Sequence, residues 1–218
     1  MPNHITNILR ITVYKHEGKS SELVDQILDA MKGNRDSEED SPFDFNRIIP
    51  RPTDLDITQG SVSGNAIALL DDQEARRMLN WPWVRQAKCK TIDALRAHLR
   101  KQYLANPEKG FPTLDDFAGR LTSNVSKYGA PTWYEWSCTN WGTKWNAYSV
   151  TASKTGEGEA VVHFETAWAP PMPVLDALAA KFPDAHFRLI WTDEGDDVAH
   201  RVYWTDGKRE SDDKDDAS

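Results

Sequence analysis

The chain has 218 residues, of which 39% are hydrophobic and 28% are charged, and its formal net charge is −8. This composition is typical of a globular protein in water, and no apolar run approaches the roughly 20 residues that a membrane-spanning helix requires. The N-terminus, Met1–Ile5, has neither the basic start nor the apolar stretch of a signal peptide. Because Cys89 and Cys138 are the only cysteines, the sequence predicts no disulfide framework and a reduced, cytoplasmic setting.

The first fifty residues predict a strand, a helix and a second strand. Apolar and polar residues alternate over Ile5–Val13, which is the period of a half-buried strand. A helix follows from Ser20, a capping residue, to Gly33, a residue typical of helix ends. Beyond an acidic loop at Asn34–Ser41, Phe43–Pro50 predicts the second strand, which ends at proline because proline cannot donate to a strand ladder.

The middle of the chain, from Thr53 to Gly129, predicts helices joined by polar segments. Asp71–Leu79 forms a short helix, and Thr91–Leu104 forms a longer one whose apolar residues recur at helical spacing. A third helix begins after Thr113 and ends before Gly129. No flexible linker bounds this block, so it is interpreted as a helical insertion and not as an independent domain.

The strand pattern returns after the insertion. Four strands are predicted, at Asn146–Lys154, Glu159–Trp168, His186–Thr192 and Val198–Thr205. A helix that opens at Pro171 and ends at Pro183 separates the two pairs. The remainder, from Asp206, is charged and is expected to be a disordered tail.

This order of elements predicts an α+β protein with a ferredoxin-like sandwich, in which a β-α-β-β-α-β core forms a largely antiparallel sheet. The core comprises residues 1–52 and 130–205, the helical insertion 53–129, and the acidic tail 206–218. In the later strands, apolar residues occupy one side and polar residues the other. The polar side carries Ser149, Thr151, His163, Glu165, Arg188, Arg201 and Tyr203. We therefore expect one sheet face to pack on helices and the other to be open.

Four segments of the chain resemble a known family. They are the opening Pro2–Asn7, the segment Phe43–Pro50, the aromatic run Trp133–Trp136 with Asn140–Trp145, and the motif Phe164–Pro171. Together and in this order they are similar to phage and plasmid proteins with a YubB-type ferredoxin-like domain. The resemblance implies a ferredoxin-like fold and an origin on a mobile element, and it implies no reaction.

The stretch Trp133–Tyr148 holds four of the nine tryptophans. One interpretation is a pocket with indole walls, in which an amide and an ammonium orient a ligand. Its predicted ligand-binding residues are Trp133, Trp136, Asn140, Trp141, Lys144 and Glu165. The alternative is a structural cluster in which the indoles form core and Lys144 pairs with Glu165, and this alternative is favoured because aromatic clusters are usually core.

Catalytic and metal-binding constellations are weak in this sequence. Cys138 and His163, oriented by Asn140, have the residue types of a nucleophile and its base, but no motif fixes their geometry. His163 and Glu165 share one side of a strand, yet a metal would require a third ligand. We therefore predict no catalytic residues, no metal site and no cofactor.

Charge is unevenly distributed along the chain. The segment Ala75–Lys109 contains nine basic residues against Asp93 and Glu108, a net charge of +7. The predicted partner-binding residues are Arg76, Arg77, Arg85, Lys88, Arg96, Arg100 and Lys101. Together with Trp81 and Trp83, these basic residues are suited to binding nucleic acid. The same charges are equally suited to binding an acidic patch on a protein. The simplest alternative is a solvated helix face.

From these observations we predict a non-enzymatic accessory protein of a mobile element that binds a host protein, for example to modulate host defence. The expected partner carries an acidic patch, and no membrane is involved. A nucleic-acid-binding protein that uses the basic insertion is the second possibility. The third is an enzyme acting on a small molecule or nucleotide, centred on Asn140–Lys144 and Glu165.

Overall fold

The computed structural model describes residues 3–14, 19–33, 41–195 and 198–210. The chain forms two compact units. The sheet unit comprises Met1–Pro50 and Ser137–Ser218, and the helical unit comprises Arg51–Trp136. Most of the predicted loop at Asn34–Ser41 lies outside the described residues, as do residues 211–218.

Six strands form one antiparallel sheet in the sheet unit. They are β1 (His4–Thr12), β2 (Tyr148–Gly156), β3 (Glu159–Ala167), β4 (His186–Asp193), β5 (His200–Thr205) and β6 (Lys208–Arg209). Their spatial order is β2-β3-β1-β4-β5-β6. The first four strands of that order, together with helix α1 (Ser20–Met31) and helix α8 (Met172–Lys181), form the β-α-β-β-α-β arrangement. The predicted α+β ferredoxin-like fold is therefore confirmed, with β5 and β6 added at one edge.

The two faces of the sheet differ as the alternation predicts. On one face the buried side chains include Leu9, Phe164 and Leu189, together with Trp204, whose Nε1 donates to Asp176 of α8 at 2.7 Å. The side chain of Lys154 binds Asp25 of α1 at 2.6 Å. Both helices therefore cover the same face, and the opposite face has no helix of the sheet unit on it among the described residues.

The predicted strand at Phe43–Pro50 is wrong. Phe45–Arg47 forms a 3₁₀ turn, because the side chain of Asp44 accepts a hydrogen bond from the Asn46 N–H at 2.9 Å. Phe43 and Phe45 are nevertheless fully buried, and their rings meet edge to face with centroids 5.0 Å apart. The alternating aromatic pattern therefore reflects core packing around a turn, and β2 supplies the second core strand.

The helical unit contains five whole helices and the first half of a sixth. They are α2 (Ser61–Leu70), α3 (Asp72–Met78), α4 (Pro82–Gln86), α5 (Ile92–Tyr103), α6 (Leu114–Tyr128) and α7 (Trp133–Asn140), the last of which continues into the sheet unit. The predicted starts of the helices at Thr91 and after Thr113 are confirmed, and both threonines cap them by accepting hydrogen bonds from the first turns of α5 and α6. Sequence reasoning missed α2, which buries small residues such as Ala66 and Ala68 and lacks a stripe of large apolar ones.

The start of the expected disordered tail is ordered. Asp206 and Gly207 both have positive φ, of 51° and 74°, and connect β5 to β6 in a two-residue turn. An Asp-Gly pair is a strong signal for such a hairpin, because it accepts the left-handed conformation at both positions. Among the described residues, no helix is long and apolar enough to cross a membrane.

Candidate functional site

The centre of the aromatic stretch is core. Trp141 is fully buried, and its Nε1 donates to the Ile49 carbonyl at 2.9 Å. Gly142 has a φ of +79°, and a Cβ built on it would lie 2.8 Å from the ring of Pro173. Thr143, also buried, donates to the Ala167 carbonyl at 2.7 Å. These contacts leave little room for a ligand around Trp141.

The other predicted ligand-binding residues lie in α7, in the segment that follows it and in β3. Lys144 Nζ lies over the rings of Trp145 and Trp168, 4.7 Å and 4.9 Å from their centroids. Glu165 accepts a hydrogen bond from Ser149 at 3.3 Å. Trp133 and Trp136 belong to the helical unit, whereas Asn140, Trp141, Lys144 and Glu165 belong to the sheet unit. The division between the units passes through α7, and Trp133, Trp136 and Asn140 share that helix.

Several of the basic residues in the helical unit have local acidic partners. Arg77 pairs with Glu74 at 2.8 Å, and Arg100 pairs with Asp115 at 2.7 Å. Arg96 pairs with Asp72 at 2.8 Å and also donates to the Ala68 carbonyl at 3.1 Å, so this predicted partner-binding residue is engaged within the helical unit. The unit as a whole has twelve basic and ten acidic residues. Much of its basic charge therefore serves local structure.

Three of the predicted partner-binding residues keep their charge available. Arg76, Lys88 and Lys101 are exposed and form no ion pair within the described part of the chain. Arg85 makes a long hydrogen bond, 3.4 Å, to Asn80. Trp81 is 38% exposed and packs edge to face on Trp83, with ring centroids 6.2 Å apart.

The open face of the sheet carries a second group of cations. Arg10 of β1 lies opposite Arg188 of β4, and Arg188 lies opposite Tyr203 of β5. Residues directly opposite on antiparallel strands have Cα atoms about 5 Å apart, so these three side chains form one row. Two residues along each strand, and on the same face, Ile8 lies opposite Ile190 and Ile190 lies opposite Arg201.

This group, the arginine patch, consists of Arg10, Arg188 and Arg201. Arg10 and Arg201 are exposed and Arg188 is half-buried. None of the three forms an ion pair or a hydrogen bond with another side chain in residues 3–14, 19–33, 41–195 and 198–210. The sheet unit has fourteen basic residues and twenty-four acidic ones, so its net charge is negative. The arginine patch is therefore opposite in sign to the net charge of its own unit.

A groove of about 320 Å³ lies at one end of this face and overlaps the arginine patch. Arg10 and Arg188 line it from β1 and β4, and Tyr203 lines it from β5. At its end, Tyr14 packs edge to face against His186, with ring centroids 4.8 Å apart. The further lining residues are Ile11, Thr12, Thr155, Glu159, Ala160, Val161, Phe187, Trp204 and Thr205. The groove thus joins two guanidinium groups to two tyrosines and a histidine.

The residues considered for catalysis or metal binding are not among those that line this groove. His163 is exposed on the open face of β3 and makes no hydrogen bond within the described residues, whereas a base must be held against its nucleophile. Cys138 lies in α7 and is half-buried. No group of three or more histidine, cysteine, aspartate or glutamate side chains suited to a metal ion occurs in the ranges that the structure describes.

Comparison with known proteins identifies the C-terminal part of the chain. Residues 140–218 match a family described as the ferredoxin-like domain in Api92-like protein. A crystal structure of a protein api92 from Yersinia pseudotuberculosis aligns over 96% of both chains, with 13% identical residues and a TM-score of 0.47. No curated protein matches the chain. Residues 140–218, which hold Arg188, Arg201 and Tyr203, are therefore similar to the ferredoxin-like domain of Api92-like proteins.

Proposed function

We propose that this chain is a non-enzymatic accessory protein of a phage or plasmid, and that its sheet unit binds an acidic segment of a host protein. The observation that carries the proposal is the arginine patch: three guanidinium groups that form no ion pair within the described residues, on one open face of a protein with a net charge of −8. Guanidinium groups that have no ion-pair partner in the described part of the chain are available to a carboxylate-rich surface.

The composition of the face favours a protein partner. Ile8 and Ile190 are half-buried at its centre, Tyr203 is 40% exposed beside them, and the arginines surround them. Tyrosine and arginine around apolar contacts are the residue types enriched at the centres of protein interfaces. Binding to the nucleic-acid backbone instead requires a broadly basic field, which the acidic sheet unit does not provide.

The helical unit supports a second candidate function, nucleic-acid binding. Its cations Arg76, Lys88 and Lys101 form no ion pair within the described residues, and the same unit holds an exposed indole, Trp81. Cations that contact phosphates and an aromatic ring on which a base stacks are the elements of single-strand binding. The enzyme centred on Asn140–Lys144 receives no such support, because Trp141 and Thr143 are packed into core.

The experiment compares two matched charge reversals. One variant carries Arg10→Glu, Arg188→Glu and Arg201→Glu, and the control carries Arg76→Glu, Lys88→Glu and Lys101→Glu, so each changes the net charge equally. Proteins captured from host lysate by the wild type are identified, and binding of the purified partner is then measured at several salt concentrations. We expect the sheet reversal to weaken binding on the order of a hundredfold and the control to leave it nearly unchanged.

Two outcomes contradict the proposal. Equal binding by the sheet reversal and the wild type removes the arginine patch from the interface. Loss of binding to single-stranded nucleic acid in the helical control alone, with a steep fall in affinity as salt rises, favours the second candidate. Circular dichroism of both variants verifies that each is folded before binding is interpreted.

A further inference from the structure

We infer that the groove that overlaps the arginine patch binds a phosphate monoester group. The inference rests on the proposed function, because the group would be a phosphorylated side chain in the acidic segment of the partner protein. It goes beyond that function in naming the chemistry that anchors the partner and the part of the open face that holds it.

The groove contains two arginines whose positive charges form no ion pair within the described residues. Arg10 and Arg188 are directly opposite each other on neighbouring strands, and like charges in that position destabilise a sheet. Neither has an acidic partner within hydrogen-bonding distance among the described residues. One carboxylate supplies a single negative charge to this pair. A phosphate monoester carries about −1.5 to −2 at neutral pH, so it neutralises both guanidinium groups at once.

The arginines of the groove are also hydrogen-bond donors to phosphate oxygens. Phosphate offers three strong acceptor oxygens, and arginine is the side chain best suited to bind them in pairs. Tyr203 follows Arg188 in the same row, and His186 and Tyr14 close the end of the groove. His186 Nδ1 also lies 3.4 Å from the hydroxyl of Thr205, which positions the imidazole ring. The lining of the groove therefore places two tyrosines and a histidine beside the two guanidinium groups.

Two acidic side chains oppose this chemistry: Glu159 in the lining, and Glu210, which accepts a hydrogen bond from the lining residue Thr205 at 2.6 Å. Glu159 lines the groove from β3, where it is exposed and lies opposite Thr12. Against it stand Arg10 and Arg188, so the charged lining of the groove remains net positive. Removal of that carboxylate, by Glu159→Gln, is expected to raise the affinity for phosphate severalfold.

The test uses three labelled peptides of one acidic sequence that differ at a single position, which holds phosphoserine, glutamate or serine. Binding to the full-length protein is followed by fluorescence anisotropy. We expect the phosphoserine peptide to bind at least tenfold more tightly than the glutamate peptide. Arg10→Gln and Arg188→Gln should each remove most of that preference. Arg201→Gln, on the same face but outside the groove lining, should weaken both peptides alike and preserve the preference.

The outcomes separate this inference from the function on which it rests. Equal affinity for the phosphoserine and glutamate peptides, with both weakened by the arginine variants, overturns the phosphate site and leaves the acidic-segment function in place. A phosphoserine preference that survives in Arg188→Gln also overturns the site. Adenosine 5′-monophosphate serves as a second probe. If it binds in an Arg188-dependent manner while no peptide binds, the phosphate site is supported and the protein partner is contradicted.

Discussion

The basic face of the helical unit and the arginine patch of the sheet unit use the same side chain in opposite ways. In the helical unit Arg77, Arg96 and Arg100 each lie within 2.8 Å of a carboxylate oxygen. In the sheet unit Arg10 and Arg188 face each other across two strands, with no carboxylate within ion-pair distance in the described chain. The denser basic segment in the sequence is thus the more neutralised one in three dimensions.

The difference shows which property of a charged residue indicates a binding site. A run of basic residues along a helix finds acids three or four positions away or on a neighbouring helix, and the pairs orient the helices. Arginines on the open face of a sheet have neighbours fixed by strand register, and here the register brings together two arginines and a tyrosine. An unpaired charge in a defined position is therefore a stronger indication of a partner than the charge density of a segment.

The largest effect tests whether the open face can be altered without loss of the fold. Phe164 and His163 are consecutive on β3, but Phe164 is buried against the helices and His163 is exposed. Phe164→Ala is expected to lower the free energy of unfolding by about 3–5 kcal/mol, through lost burial and a residual cavity. His163→Ala should change it by less than about 0.5 kcal/mol. Urea denaturation measures the free energy of unfolding of both variants. Equal losses of this free energy would mean that the open face also contributes to the stability of the fold.

A second prediction concerns the charges of the helical unit. Asp54 accepts hydrogen bonds from the Tyr128 hydroxyl at 3.1 Å and from Arg120 at 3.0 Å. The Tyr128 hydrogen bond, reinforced by the charges of Arg120 and Lys127, lowers the pKa of the Asp54 carboxyl. A carboxyl with a lowered folded-state pKa contributes stability that is complete above its unfolded pKa of about 3.9. That contribution disappears as the pH falls through the folded-state pKa.

Asp54→Asn should therefore lower the Tm at pH 7 and make the Tm fall less as the pH decreases from 5 towards 2. Asp93→Asn is the matched control, because Asp93 is an exposed carboxylate in the first turn of α5 and forms no ion pair within the described residues. Calorimetric scans across this pH range measure both variants. A wild type and an Asp54→Asn protein with parallel pH profiles would show that the Asp54 cluster contributes nothing.

Much of the fold follows from local sequence patterns. Alternation predicts β1 to β5 and assigns Arg188, Arg201 and Tyr203 to the open side, because strand side chains point alternately to the two faces. The caps at Thr91 and Thr113 fix the starts of α5 and α6. Phe43–Pro50 misleads because its alternation coincides with that of a strand, while the short-range hydrogen bond from Asp44 produces a turn.

The candidate site depends on contacts that a single sequence does not specify. Arg10 and Arg188 come from opposite ends of the chain and meet only through the β1–β4 register. The pairing of Arg96 with Asp72 and of Arg100 with Asp115 likewise depends on how helices pack. Net charge along the sequence therefore predicts an interaction surface in the helical unit, and the three-dimensional pairing moves the best candidate to the sheet.

The smallest expected effect is also the most direct test of the comparison. Arg100 donates two hydrogen bonds to Asp115, of 2.8 Å and 2.7 Å, and they lower the pKa of the Asp115 carboxyl. Because both side chains are about half exposed, Arg100→Ala is expected to cost only about 0.2–1 kcal/mol. Arg188→Ala should cost less, or stabilise the sheet slightly, since it removes a like charge opposite Arg10.

Salt separates the two variants further. The Debye length shortens from about 10 Å at 0.1 M salt to about 3 Å at 1 M, so added salt weakens the exposed Arg100–Asp115 attraction and the Arg10–Arg188 repulsion alike. The cost of Arg100→Ala should then shrink at high salt, and any stability gained by Arg188→Ala should shrink with it. Urea denaturation at 0.02 M and 0.5 M salt measures both trends. A cost for Arg188→Ala that equals that of Arg100→Ala and diminishes in the same way would mean that Arg188 has an attractive partner, and that the patch is a structural ion-pair site instead of a binding surface.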